Sequence, residues 1–145
     1  MGELTGCIFC DIAAGRADAE IIWADDDAVV FLDIRPINDG HLLIVPAKHA
    51  ARLAEIPSSA LARMMSLAQT MAAALRSSGL RCDGVNLWLA DGEAASQEIQ
   101  HSHLHVIPRW VGDGLVLQER AARRDSADSD LGRAASALRA ALAPG

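Results

Sequence analysis

The chain has 145 residues, 51% hydrophobic and 22% charged, proportions that fit one soluble domain, residues 1–145, with a proper core. Thirteen Lys and Arg against nineteen Asp and Glu give a net charge of −6, which speaks against a nucleic-acid polymer as partner but leaves a mononucleotide open. Residues 1–6 lack the basic and apolar regions of a secretion signal, no apolar run is long enough for a membrane span, and three cysteines do not read as a disulfide framework, so a cytoplasmic protein is expected.

Ile21-Ile22-Trp23-Ala24 and Ala28-Val29-Val30-Phe31-Leu32 are short β-favouring runs, and the turn-like Asp25-Asp26-Asp27 between them predicts a hairpin. Arg35 to Gly40 reads as a loop on Pro and Gly grounds and leads into a strand over His41–Pro46. Pro57-Ser58-Ser59 predicts a helix start with a serine as N-cap. Leu61, Met64, Met65, Ala68, Met71, Ala72 and Leu75 follow at helical spacing, and Gly79 suits the stop. Strands are predicted over Val85–Leu89 and His103–Ile107, joined by a loop from Asp91 to Ser96. Leu131, Ala135, Leu138 and Leu142 can form one face of a modest helix in the tail. A short N-terminal turn carries Cys7 and Cys10. Short connections favour an α+β fold with a mainly antiparallel five-stranded sheet.

Three of the five histidines fall at His101, His103 and His105. Side chains alternate faces along a strand, so these three are expected on one face, neighbours roughly 6.5 Å apart, with Leu104 and Val106 pointing into the core. Three imidazoles are costly to bury unpaired, so they should line a wet or ligand-filled site rather than sit idle. Neutral imidazoles two residues apart can chelate zinc, and an imidazole nitrogen can attack phosphorus to form a covalent intermediate. The spacing alone leaves both open.

His101-Ser102-His103-Leu104-His105-Val106-Ile107 resembles the signature of the histidine-triad (HIT) superfamily. Three further segments resemble it in order and spacing: Cys7–Cys10, Phe31–His49 (the central hairpin) and Asp91–Glu98 (the phosphate loop). The resemblance covers about residues 7 to 110; the tail, 111–145, lies outside it. Ser102 is polar where an apolar residue is usual, Ser96 replaces the usual glycine before Gln97, and Ala90 stands where some branches carry Asn or Gln.

The resemblance implies a HIT-like fold with one long helix and a short N-terminal helix, its sheet extended across a two-fold homodimer. It implies hydrolysis or transfer at the α-phosphate of a nucleotide, more readily a purine, with His103 as nucleophile and a nucleotidyl-histidine as intermediate. His105 and His41 would steady phosphate oxygens in the transition state. Asp33 would bind ribose hydroxyls, Ile8, Phe9 and Ile34 would form the base pocket, and Gln97 with the amides of Ser96 to Glu98 would contact phosphate. Adenosine phosphoramidates and diadenosine polyphosphates are the candidate substrates, with Arg109 and the Asp91-Gly92 loop leaning toward the latter. A nucleotide-binding regulatory module with little turnover is the reading from a different class.

Cys7-x-x-Cys10 can be a redox pair, two idle thiols or half of a structural zinc site. Bacterial members with this segment complete such a site with the positions of His49 and His101, which implies zinc at Cys7, Cys10, His49 and His101, outside the chemistry. A catalytic zinc held by the triad itself is the third function class weighed.

Overall fold

A computed structural model describes residues 6–116 and 130–144, so the readings made on Met1–Thr5, on 117–129 and on residue 145 lie outside the described residues. The chain forms two compact units, Met1–Asp113 and Gly114–Gly145.

The first unit is built on one antiparallel sheet in the order β1-β2-β3-β5-β4, with β1 at Ile21–Ala24, β2 at Ala28–Leu32, β3 at Leu42–Pro46, β4 at Gly84–Leu89 and β5 at Leu104–Arg109. The β1–β2 turn closes because the Asp25 carboxylate accepts the Asp27 and Ala28 amides, both at 3.0 Å. Helix α1 (Ile8–Ala13) precedes β1, and α2 (Ser58–Ser77) connects β3 to β4. Helix α2 starts one residue earlier than a serine cap requires: Pro57 is the N-cap, and no side chain caps the helix. Gly79 follows its end at φ +88°, the left-handed conformation that favours glycine.

Both sheet faces are covered, and alternation sorts the residues between them. Val30, Ile44, Leu104 and Val106 pack toward Met64, Leu67, Ala68 and Met71 of α2. Val29, Phe31, Leu43 and Val45 pack toward Phe9 and Ile12 of α1. Leucine and valine at 104 and 106 thus enter the core as expected.

Loop glycine Gly40 has φ +94°, and a Cβ there would meet the Leu75 and Leu80 side chains at 2.9 Å. Only glycine lets the chain turn into β3 so close to the end of α2, and that turn delivers His41. In the second unit, α3 (Leu131–Leu142) matches the helical face read from the sequence, with the Asp130 carboxylate accepting the Arg133 amide at its start. No helix among the described residues is long and apolar enough to cross a membrane.

Candidate active site

The histidine run is not a continuous strand. β5 begins at Leu104, and its ladder with β3 pairs Leu42 to Val106, Leu43 to His105 and Ile44 to Leu104. Residues 101–103 lie before that ladder, with the Ser102 amide on the Ala50 carbonyl at 2.7 Å. His103 and His105 line a cavity of about 630 Å³, whereas His101 is fully buried beside it, its ring, like that of His103, against Phe9.

His103 and His105 rings lie 4.9 Å apart, nearer than strand spacing alone predicts, and the His41 ring lies 5.1 Å from His105. The hydrogen bonds fix every proton in this cluster. His103 Nδ1 lies 2.8 Å from the His101 carbonyl, which only accepts, so Nδ1 carries the proton and Nε2 keeps its lone pair. The Ile37 amide donates to His41 Nδ1 at 3.1 Å. His41 Nε2 is then the protonated nitrogen and donates to His105 Nδ1 at 2.8 Å. His105 is left with a proton on Nε2, which has no protein partner among the described residues.

Burial favours the neutral forms of His105 and His41. It pushes His105 down to about 4, helped by His103 and His41 and opposed by Asp33. It also pushes His41 down, against the pull of the Asp33 carboxylate, which lies 3.7 Å from His41 Nε2. Donor atoms of Asp33, His41 and His105 lie close enough together to invite a metal. The 2.8 Å contact between the two imidazoles is a proton-sharing distance, however, while two nitrogens on one zinc stand about 3.3 Å apart. This trio is a hydrogen-bond chain.

A second cluster does suit a metal. Donor atoms of Cys7, Cys10, His49 and His101 all lie within 4.8 Å of one another. Cys7 Sγ and Cys10 Sγ each lie 3.4 Å from His101 Nδ1, and Cys10 Sγ lies 3.2 Å from His49 Nδ1. Tetrahedral zinc with ordinary bond lengths separates sulfur and nitrogen ligands by about 3.5 Å. His101 Nε2 donates to the Pro46 carbonyl at 2.9 Å, which turns the Nδ1 lone pair toward the thiols, the outer support that metal-bound histidines need. Burial, with Cys7 beside it, pushes the Cys10 thiol up to about 11, a cost that a cation at this point reverses. Cys82 is apart from the cluster, with its Sγ 3.3 Å from the Gly84 carbonyl.

Of the residues expected to hold the nucleotide, Asp33, Ile8, Phe9, Ile34, Ser96 and Glu98 line the cavity with the three histidines. Ile34 is 89% exposed and stands at the mouth. Phe9 is buried and packs edge-on against Phe31 and His103, with centroids at 5.3 and 5.2 Å, so it serves the core and the pocket wall together.

Gln97 does not line the cavity. Its buried amide accepts from the Gly92 amide and Arg52, and donates to the Ala51 and Ile99 carbonyls at 2.8 and 2.9 Å. The Ser96 and Gln97 amides are also spent inside the loop, on the Glu93 and Gly92 carbonyls. Gln97 therefore braces the loop, and of the three amides expected to meet phosphate, that of Glu98 alone has no partner among the described residues. Ser96 is the one described non-glycine residue at positive φ, +67°, which explains why glycine is the ordinary choice there. Arg109 pairs with Asp113 and Asn86, and Asp91 accepts the Leu53 amide at 2.9 Å, so neither is in the cavity to favour a dinucleotide.

The sequence reading missed Trp88, which lines the cavity and pairs directly across from His105. It also missed the Ile37 amide that sets the His41 proton. Neither carries a sequence signal, because both depend on strand register and loop conformation.

The HIT domain family profile matches residues 14–111. A HIT-like protein of Mycobacterium tuberculosis is 41% identical over 138 residues, 94% of this chain and 93% of its own. A zinc-bound histidine triad family protein from Mycobacterium smegmatis is 42% identical with TM-score 0.73, covering 83% of each chain. The adenylylsulfatase HINT3 of Arabidopsis thaliana is 37% identical over 114 residues, 78% of this chain and 57% of its own.

Proposed function

The chain belongs to the HIT domain family, and on that premise we propose that it hydrolyses or transfers the nucleotidyl group of a purine nucleotide at the α-phosphate. The observation that carries this reading is the His103 ring: Nδ1 is tied to the His101 carbonyl at 2.8 Å, and the unshared pair on Nε2 is left for phosphorus. In the first step Nε2 forms the N–P bond as the leaving group departs. Water then cleaves that bond and restores His103.

His105 presents its Nε2 proton to a phosphate oxygen, and His41 holds it in that tautomer through their 2.8 Å bond. Asp33 takes ribose hydroxyls, Ile8, Phe9 and Ile34 take the base, and Ser96 and Glu98 border the phosphates. Zinc held by Cys7, Cys10, His49 and His101 gives structural support and no chemistry. The relative from Arabidopsis named as an adenylylsulfatase supports turnover at an adenylyl group as the class of reaction. The cytoplasm is the compartment we assign. A homodimer is the assembly we assign, formed over the exposed Met65 of α2 and Leu87 of β4.

The test is incubation with an adenosine phosphoramidate labelled in its adenylyl group, followed by acid-sparing quench. The expected result is a labelled adduct on His103, abolished in His103→Ala together with turnover. Binding without adduct or turnover would instead mark a regulatory nucleotide-binding module. Turnover undiminished in His103→Ala overturns the mechanism.

A further inference from the structure

Arg109 and Asp113 form an ion pair outside the cavity that the proposed reaction leaves unused. Arg109 is the last residue of β5, and the chain turns just after it, with the Asp113 amide on the Trp110 carbonyl at 3.3 Å. The turn returns the Asp113 side chain to Arg109 and leaves it 2% exposed. Its carboxylate receives the guanidinium in a two-pronged pair, Nε on Oδ2 and Nη2 on Oδ1, the second at 2.9 Å. Arg109 Nη1 donates in turn to Asn86 of β4. A buried carboxylate held at both oxygens is a fixed point, and it stands just beyond residues 14–111, the stretch that matches the family profile.

What this fixed point holds is the β2–β3 loop. Residues 34–37 and 39 of the loop are exposed, whereas Asn38 is half-buried. Asn38 Nδ2 donates to the Asp113 carboxylate at 2.9 Å and to the Pro108 carbonyl of β5 at 2.8 Å. Both partners only accept, so the orientation of the amide group is set. Among the described residues, these are the hydrogen bonds that tie residues 34–40 to another element. The others stay within the loop and its ends: the Arg35 amide on Asp33, the His41 amide on the Asn38 carbonyl, and the Ile37 amide on His41 Nδ1.

Ile37 is the neighbour of Asn38, so anchoring Asn38 places the Ile37 amide against His41 Nδ1. With Asn38 released, that amide is free to swing away, and His41 Nδ1 loses the donor that keeps it unprotonated. His41 then has no reason to carry its proton on Nε2, and it can accept from His105 Nδ1 instead of donating to it. In that arrangement His105 Nε2 turns a lone pair, not a proton, toward a phosphate oxygen, and the two repel.

We propose that Asn38 and Asp113 are positioning residues for the reaction: through one side-chain tie they hold the loop that sets the His41 proton, and so keep a donor on His105 Nε2. Neither residue lines the cavity. The proposal rests on the nucleotidyl-transfer reading above for the use of that donor, while the tie itself acts without substrate.

The experiment reads the tautomer of each ring directly, by proton–nitrogen correlation spectra of the full chain labelled in its imidazole nitrogens. In the parent protein His41 and His105 are expected with the proton on Nε2, and His103 with it on Nδ1. In Asn38→Ala and in Asp113→Ala, His105 should show both tautomers while His103, held by the His101 carbonyl, keeps its own. An unchanged His103 signal also reports that the fold is intact. Should Asp113→Ala fail to fold, Asn38→Ala still decides, because it leaves the Arg109–Asp113 pair in place. With an adenosine phosphoramidate as substrate, kcat is expected to fall by about tenfold in each variant with KM little changed. The double variant should fall no further than the worse single one, as residues acting through one contact do. A His105 ring that keeps its proton on Nε2 in the single variants, or losses of kcat that multiply in the double variant, overturn the proposal. Absence of turnover in the parent protein overturns the nucleotidyl-transfer reading, and the tautomers, read without substrate, still decide the tie.

Discussion

His41 Nε2 lies 2.8 Å from His105 Nδ1, and the proton between them belongs to His41 because the Ile37 amide already donates to the other His41 nitrogen. A backbone amide in the β2–β3 loop thus decides which face of a β5 imidazole is a donor. His41→Phe removes the proton that His105 Nδ1 accepts and frees His105 to adopt the other tautomer. We expect kcat to fall by roughly 10²-fold, near the loss of one transition-state donor, with a smaller change in KM. Steady-state kinetics on the variant checks this, and an unchanged kcat would separate His41 from the reaction.

Acid stability follows from the same chain. Burial depresses His105 from the ordinary histidine value to about 4, so between about pH 6.5 and 4 the unfolded chain binds a proton that the folded chain does not. Stability contributed by the neutral ring is therefore full above pH 6.5 and is lost as pH falls toward 4. Urea unfolding at pH 7.0 and 5.0 should show a drop, and the drop should be smaller in His105→Asn. An identical drop in both proteins would place the acid sensitivity elsewhere.

Ser102, between the first two histidines of the run, is fully buried, and its hydroxyl has no partner among the described residues. An orphaned buried hydroxyl costs about 1–3 kcal/mol. Ser102→Ala is expected to stabilise the protein by about 1 kcal/mol, raising Tm by about 2–4 °C. Thermal unfolding decides it: a lowered Tm would mean that the hydroxyl is satisfied.

Ser96 sits at φ +67°, where a side chain is strained and glycine is not. Ser96→Gly should relieve about 1 kcal/mol of local strain, offset in part by glycine's larger entropy loss on folding. The net gain in denaturation is expected to be about 0.5 kcal/mol, and a loss of more than that would show that the serine hydroxyl matters to the loop.

Metal removal should be felt at the nucleotide. Cys7 and Cys10 flank Ile8 and Phe9 at the start of a helix of six residues, too short to persist unaided, whose N-cap side chain makes no capping hydrogen bond to the helix. Phe9 also touches the His101 and His103 rings, at 5.9 and 5.2 Å. Chelation is expected to speed amide exchange in α1 while β3 and β5 stay protected, and to weaken AMP binding by about tenfold. By reciprocity AMP should raise zinc affinity by the same factor, measured by competition with a coloured chelator. An AMP affinity indifferent to chelation would uncouple the two clusters.

Much of this protein was legible in its sequence because the signals are local. Short β-favouring runs such as Ala28–Leu32, the helical spacing from Leu61 to Leu75, and the turn chemistry of Asp25 and Gly40 define elements through contacts within a few residues. The same locality explains where reading failed. Alternation groups the three histidines, but only the packing shows that His101 is buried toward Cys7 and Cys10 while His103 and His105 line the cavity. Gln97 looked like a phosphate contact because its type suits one, and only the packed loop shows its amide filled by Gly92, Arg52, Ala51 and Ile99.

What the sequence alone determined is the inventory: five strands, a long helix, and the histidines and cysteines from which both clusters are made. What only the tertiary structure decided is the allocation of lone pairs and protons among those rings. That allocation rests on partners far off in sequence or set by loop conformation, namely the Pro46 carbonyl that accepts from His101 and the Ile37 amide that donates to His41. An imidazole has two nearly equivalent nitrogens, so its chemistry is fixed by whichever partner the fold brings to one of them.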